Sequence, residues 1–502
     1  MSQFSLLDGG IVGLYLLATM VAGVAVRKYV GKVEDFLVAG REVNVYLGIA
    51  SLAATEFGIV TCMYTAQSGY MHGFAGMTPG LLSALTMFLV GYTGFCIKPL
   101  RDSGVMTIPE LLERRYGSRI RWAAGVVIVL GGLLNMGVFL RTGGEFLVVA
   151  TGLDVNRLEM AMTVLLLGVA VYTIMGGMLS VLITDFLQFV VMSLGLLAVT
   201  LLILANVGWD RLTAAVTERY GSGGYNPLAN PEMGWEYVLF NVLLTGAAVL
   251  TWQTSIARVL AAKDTQTGRR IYTRTSFFFV SRWLIPGLWG IAALATLAPQ
   301  AFHALSPEMQ EDPTLYAMPL FLSTFVPTGL MGLMIAAMLA ADMSTDSSYM
   351  LTWGSVIYND IMAPFHRRQW SERKGLMWNR FIVACIGVFL LVFGLWYELE
   401  GDLWTYLMLT GTIYLASVSS LLIACCYWKR ANNWGAAASI VVSAAIPVAY
   451  LVMQKVPATR ELAQQIGPNL SGVAAYALSG VAMVVGSLLK PRTREVMEEV
   501  AR

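Results

Sequence analysis

Residues 340–350 read AADMSTDSSYM, between the apolar flanks GLMGLMIAAML and LTWGSVIY. Two aspartates and four hydroxyls fall between Asp342 and Ser348. On a helix, at about 100° per residue, Ala341, Ser344, Thr345 and Ser348 share a sector roughly 100° wide. Ser347 flanks that sector on one side. Asp342 and Asp346, at i and i+4, flank it on the other. Neutral oxygens with one or two carboxylates make a site for a hard cation. The alternative is that Ser and Thr bond back to the preceding turn. That accounts for one or two hydroxyls, and poorly for four beside two acids.

The rest of the chain says what solvent surrounds this stretch. It has 502 residues, 57% hydrophobic and 13% charged, against about 25% charged in soluble domains. Apolar runs lie near 8–28, 45–71, 76–98, 122–150, 159–176, 181–206, 234–257, 275–298, 327–358, 377–399, 402–428, 434–454 and 469–489. They predict about thirteen membrane helices. Long unbroken runs exclude the alternating strands of an outer-membrane barrel. The first run lacks a basic leader and a small-residue cleavage motif, so it reads as a span and not a cleaved signal. The five cysteines have no metal-ligand spacing. No stretch reads as a soluble catalytic domain or a nucleic-acid-binding surface.

Lysine and arginine set the orientation. With the N-terminus outside, only Arg157, Arg211, Arg219, Lys455 and Arg460 fall in outer loops. RKYVGK, ERRYGSRIR, AAKDTQTGRR, HRRQWSERK and KPRTREV all fall inside, which the positive-inside rule requires. TIPELLERRYG reads as a short amphipathic helix on the inner surface, and LYAMPLFLSTF as a short helix in an outer loop.

Ionisable side chains within spans are costly and mark pathways. Glu56, Arg141, Glu145, Asp185, Asp342 and Asp346 are such groups. Arg141 and Glu145, at i and i+4, also suit a purely structural pair. Glu56 lies in SLAATEFGIVT, where a glycine and β-branched residues flank an acid. That pattern suits an interrupted helix whose freed carbonyls line a cavity. The seventh run has a similar centre, LTGAAVLTWQTS. Two interrupted helices five spans apart suggest two halves of a repeat.

Three stretches together resemble the sodium:solute symporter family. YTIMGGMLSVLITDFLQ (172–188) is similar to its GG-x-x-(A/S)-V-x-x-TD-x-x-Q pattern. AADMSTDSSYMLTWGSVIYNDI (340–361) is similar to its A-x-x-S-(S/T) stretch with a terminal D-(I/L). WQTSIARVLAAKD (252–264) is similar to its segment ending in R-x-(L/M)-x-(A/S). The resemblance runs from about residue 8 to 430. It implies an all-α polytopic membrane protein with a LeuT-type inverted repeat of five plus five helices. Residues 8–28 would precede the core, repeat one would span about 45–206 and repeat two about 234–428. Peripheral helices would occupy 434–489 and a cytoplasmic tail 490–502, with the N-terminus out and the C-terminus in.

The resemblance also implies sites. A first sodium site would use the carbonyls of Ala54, Phe57 and Ala341 and the hydroxyls of Ser344 and Thr345. A second, present in some members, would use Asp185, Ser344, Ser347 and Ser348. Asp342 and Asp346 depart from the family, where apolar or small residues are usual; pairing with cytoplasmic bases, tuning of sodium affinity and proton carriage all stand open for them. Substrate would lie at the broken helices. Glu56 matches an acid of proline-type members, and Trp252 a cage aromatic of choline-type ones. Thr55, Gln253 and Arg141 complete the expected substrate set. Arg141 either grips a substrate carboxylate opposite Glu56 or is neutralised by Glu145 or Glu56 and touches no substrate.

The expected function is import of a small zwitterionic or amine-bearing solute by alternating access, coupled to one or two sodium ions. No enzyme activity or cofactor is expected, and the protein would act as a monomer in the plasma membrane, a bacterial inner membrane being the expected one. Choline-like amines and small carboxylates are the alternative substrates. A sodium-conducting channel or solute sensor is the alternative class.

Overall fold

The structure is a computed structural model that describes residues 4–365, 370–397 and 402–491. Part of HRRQWSERK and most of the tail lie outside the described residues. Among the described residues the chain is helical throughout, with one isolated backbone bridge between Val43 and Ala262.

Ten helical runs are long and apolar enough to cross a membrane. Two of them hold more than one crossing. Leu158–Asn206 turns back at Gly177, whose φ is +53°. An added Cβ there would meet Phe36 at 2.6 Å, so glycine serves both the turn and the close approach. Ile59–Thr93 joins the outer half of one span to the next; its inner half is the shorter apolar helix Val45–Glu56. Leu330–Val356, which carries the opening stretch, falls outside the ten because its polar insert lowers its hydropathy. With these, the described residues hold thirteen helical passages, the number of spans expected.

Two spans are broken. The second runs as Val45–Glu56 and Ile59–His72, parted at Phe57 and Gly58. The seventh runs as Gly234–Thr251 and Gln253–Ala261, parted at Trp252, whose backbone is extended. The fourth is also divided, into Ser118–Gly137 and Phe139–Thr151.

The ninth span is buried along nearly its whole length. It packs against the second, fourth, fifth, sixth and tenth spans. Its start is fixed from the first span, Leu6–Ala25, where Asp8 Oδ1 accepts from Gly329 N at 2.7 Å and Gly332 N at 2.6 Å. A carboxylate at a helix N-terminus satisfies otherwise orphaned donors. The twelfth and thirteenth spans, Asn433–Lys455 and Pro457–Leu489, pack mainly on one another at the periphery. The inner helix predicted from TIPELLERRYG is Ile108–Tyr116, capped by Thr107, and the outer one is Ala317–Phe325.

Candidate functional site

The break in the second span leaves carbonyls without helical partners, and the ninth span supplies a hydroxyl to them. Thr345 Oγ1 donates to Thr55 O at 2.8 Å and to its own Ala341 O at 2.9 Å. Phe57 N donates to Ala54 O at 3.2 Å. A Cβ at Gly58 would stand 2.6 Å from Thr345 Oγ1, so only glycine lets the two spans approach this closely. Ala54, Phe57, Ala341 and Thr345 are therefore gathered at one place.

Ser344 faces another way. Its Oγ donates to Asp185 Oδ1 at 2.6 Å. Ser347 Oγ turns back to Ser344 O at 3.1 Å, the local bond that a helix offers any serine. Asp185 and Ser348 meet at the same depth, as the span count predicts, but through a third residue. Arg258, in the lower half of the seventh span, places Nη2 3.0 Å from Asp185 Oδ2 and 2.5 Å from Ser348 Oγ. Arg258 lies in the motif WQTSIARVLAAKD, whose pattern assigns it no partner. A lone arginine within an apolar segment was the available signal.

Beside the break lies a cavity with about 120 Å³ open to the centres of water molecules, room for a small solute. Glu56 lines it. Its Oε1 accepts from Thr254 Oγ1 at 3.0 Å and Ser255 Oγ at 2.8 Å. Those hydroxyls sit in the first turn of Gln253–Ala261, so the carboxylate faces the positive end of a half-helix. Its Oε2 stands 3.3 Å from Nη1 of Arg282, on the eighth span Thr265–Thr296. Arg282 Nη2 donates to Thr61 Oγ1 at 3.2 Å and Tyr64 OH at 2.9 Å, and its Nε is buried without a partner among the described residues. The sequence reading missed Arg282. Its segment, FFFVSRWLIPG, looks like an ordinary apolar run with one charge near the middle.

Aromatic rings close the cavity on two sides. Trp252 packs against Tyr349, Trp353 and Tyr414, with ring centroids 5.8–6.2 Å apart, and its Nε1 donates to Tyr349 OH at 3.1 Å. Tyr64, Trp283 and Trp404 form a second cluster, with centroids 4.8–5.3 Å apart. Trp404 opens the eleventh span, Leu403–Tyr427, so this cluster sits toward the outer face.

Two expected substrate residues lie elsewhere. Arg141 pairs with Glu145 at 3.0 Å and lines a separate outer cavity with Gln67, Glu308, Asp312 and Tyr316. One helical turn puts Glu145 nearer to Arg141 than any group of the central cavity. Gln253, at the first position of the lower half-helix, points to a small pocket with Leu37, Met106 and Met178. Thr55, Glu56 and Trp252 do line the central cavity.

Asp342 and Asp346 are 2% and 1% exposed. Both oxygens of Asp346 and Oδ2 of Asp342 lack hydrogen-bond partners among the described residues. No cytoplasmic base reaches them there. They share a helix face with Tyr349 and Trp353, and that face lies on the fourth span. Tyr349 meets Phe139 at 5.2 Å, and a Cβ at Gly143 would stand 2.9 Å from Asp342 Oδ1.

Comparison with known proteins bears on the family and the fold. A model described as the sodium:solute symporter family matches residues 36–443. The osmoregulated proline transporter OpuE of Bacillus subtilis is 24% identical over 500 residues, covering 96% of this chain and 94% of the relative. The high-affinity choline transporter 1 of Drosophila melanogaster is 23% identical, covering 87% and 69%. The sodium/glucose cotransporter 4 of Danio rerio is 24% identical, covering 90% and 72%. A solved structure, the substrate-bound outward-open state of a Na+-coupled sialic acid symporter with a novel Na+ site, superposes with a TM-score of 0.78. It is 18% identical and covers 97% of this chain and 98% of its own.

Proposed function

The chain belongs to the sodium:solute symporter family, and from that premise we propose that it imports an amino-acid-like zwitterion together with sodium. The observation that carries the reading is the Glu56–Arg282 pair beside the two helix breaks. The pair offers opposite charges to one small cavity. A substrate ammonium would bind Glu56 and the face of Trp252. Its carboxylate would bind the guanidinium of Arg282. Similarity to a proline transporter over nearly the full length supports this class.

Sodium would sit where Thr345 meets the broken second span, held by carbonyls of Ala54, Phe57 and Ala341 and by the Thr345 hydroxyl, with Ser344 at the edge. Ion binding would replace the Thr345–Thr55 hydrogen bond and hold the break in one geometry, with the substrate-binding Glu56 next to it. Ion and solute would then favour the same state, which coupling requires. Each sodium ion entering down an inside-negative potential contributes about 2.3 kcal/mol per 100 mV.

One observation favours a second substrate class. Trp252 and Tyr349 line the cavity on one side and Tyr64, Trp283 and Trp404 on another, and ring faces of this kind suit a quaternary amine. A thermal-shift screen of amino acids, betaines, amines, sugars and carboxylates, with and without sodium, separates the two. Sodium-dependent stabilisation by amino acids is expected. If uptake of every candidate into proteoliposomes ignores a sodium gradient, symport is wrong.

A further inference from the structure

Gln67 lies three residues outward of Tyr64 on the half-helix Ile59–His72, and it is 2% exposed. Its Nε2 donates to Asp312 Oδ2 at 2.8 Å and Thr314 Oγ1 at 3.0 Å. A carboxylate only accepts, so Asp312 fixes which end of the amide is nitrogen. The other end, Oε1, is then a carbonyl oxygen buried without a partner among the described residues. A buried acceptor calls for a donor. Gln67 lines the outer cavity, so that cavity is where the donor comes from.

The lining says what kind of donor. The cavity has about 700 Å³ open to the centres of water molecules, and Glu145, Glu308, Glu311, Asp312 and Asp402 line it with one guanidinium, Arg141. Arg141 pairs with Glu145 at 3.0 Å and stands 3.9 Å from Glu308, while Glu311, Asp312 and Asp402 have no ion pair among the described residues. No three acids lie close enough to hold a metal ion among the described residues. A bare hard cation needs several oxygens converging on it. Here one Asp312 oxygen takes Gln67 Nε2 and the other takes Thr314 Oγ1 at 2.7 Å. A spread negative field beside one unpaired carbonyl suits a monovalent cation that also donates hydrogen bonds. A primary or secondary ammonium group is such a cation.

The position gives the site a role. The rings of Tyr64 and Trp404 stand 4.8 Å apart. Tyr64 and Trp404 line the central cavity, and Gln67 and Asp402, three and two residues from them, line the outer one. The ring pair therefore parts the two cavities, with Glu56 on the inner side.

We propose that the outer cavity is a capture site for an ammonium group, held by Gln67 Oε1 and Asp312 above the Tyr64–Trp404 ring pair. The ammonium has one set of acceptors outside the rings and Glu56 inside them, and it passes from one to the other when the rings part. That it belongs to the imported solute rests on the function proposed above. That the cavity holds an ammonium rests on Gln67 and its surroundings alone.

Met71 lines the same cavity, and its Sδ accepts from Thr314 Oγ1 at 3.5 Å, beside Gln67. In a Met71→Cys chain the introduced thiol reports on the site through its rate of reaction with thiosulfonate reagents. A cationic reagent should outpace an anionic one by about tenfold, after correction for their rates with a free thiol, because a negative cleft speeds the encounter of cations. Methylammonium should slow the reaction saturably. Tetramethylammonium at the same ionic strength should not, because it has no N–H to give. Gln67→Leu should remove that protection and keep the preference for the cationic reagent, and Asp312→Asn should lower both. Glu56→Gln should leave both, because Glu56 lies beyond the rings. Equal protection by the two amines, protection that survives Gln67→Leu, or protection lost in Glu56→Gln overturns the proposal. Glu308→Cys, at the exposed rim, reads the same cavity if Met71→Cys does not fold. Protection without sodium-driven uptake of any amine would strike the function proposed above and leave the capture site standing.

Discussion

Glu56 Oε2 and Arg282 Nη1 stand 3.3 Å apart, joining the break in the second span to the middle of the eighth. The same carboxylate takes two hydroxyls from the lower half of the seventh span. Both broken helices are therefore linked through one side chain, and a solute that competes for Glu56 acts on both at once. Glu56→Gln removes the charge and keeps the shape. Amine-bearing solutes should bind at least about tenfold more weakly, the scale of one charge-assisted hydrogen bond. Sodium-induced thermal stabilisation should survive. Unchanged solute binding would exclude Glu56 from the pocket.

Arg282 distinguishes the two substrate classes. Arg282→Gln should abolish binding of solutes that carry a carboxylate, because nothing else in the cavity lining is cationic. It should spare choline-like ligands held by the rings. Competition binding with one amino acid and one quaternary amine reads the difference directly.

Thr345→Val keeps the volume and deletes the hydroxyl that reaches Thr55 O. The sodium concentration needed for half-maximal stabilisation should rise by about tenfold, the worth of one ligand at roughly 1.4 kcal/mol. Ser344→Ala should raise it less, because that hydroxyl is turned to Asp185. Ser347→Ala should change it little, because that hydroxyl is turned onto its own helix. Equal effects at positions 345 and 347 would contradict the assignment.

Asp346 is buried, and neither of its oxygens has a partner among the described residues. Asp346→Leu should stabilise the sodium-free protein by about 1–3 kcal/mol, since an unsatisfied buried polar group costs that much. It should also weaken sodium binding, because it removes an acid next in sequence to Thr345. Stability is read by thermal unfolding in detergent and affinity by sodium titration. A destabilised variant would mean that Asp346 has a structural partner.

Gly58→Ala should weaken both uptake and stability. Its methyl group would sit 2.6 Å from Thr345 Oγ1 and push the second and ninth spans apart. Overpacking of this kind costs about 1–3 kcal/mol. A second change, Thr345→Ser, deletes a methyl at the same contact and should restore part of the loss. Full activity in Gly58→Ala alone would show that the break is looser than the packing implies.

The number of crossings and the two interrupted helices were legible in the sequence for a physical reason. Hydrocarbon tolerates neither unpaired backbone nor scattered charge, so each departure from an apolar run stands out. SLAATEFGIVT and LTGAAVLTWQTS were visible on that ground, and the structure breaks both. The hydroxyl face of the ninth span was visible because helical periodicity fixes which side chains share a side.

Pairing between distant spans was not legible in the same way. Arg141 and Arg282 are both single arginines in apolar runs, and nothing local tells them apart. Packing puts one beside Glu145, four residues away, and the other beside Glu56, on a different span. The resemblance to the family makes Asp185 a candidate sodium ligand, and the structure adds an arginine beside it. That Arg258 reaches it depends on the rotation of the lower half of the seventh span, which no residue pattern encodes.

By itself the sequence determined the apolar surroundings, the number and breaks of the helices, and which hydroxyls and acids AADMSTDSSYM places on each helix face. Those properties depend on one segment at a time. Only the tertiary structure decided which charges neutralise one another: Glu56 with Arg282, Asp185 with Arg258, and Asp342 and Asp346 with neither. Charge partnership falls off over a few ångströms, and a rotation of one helix by a single residue, about 100°, exchanges one partner for another.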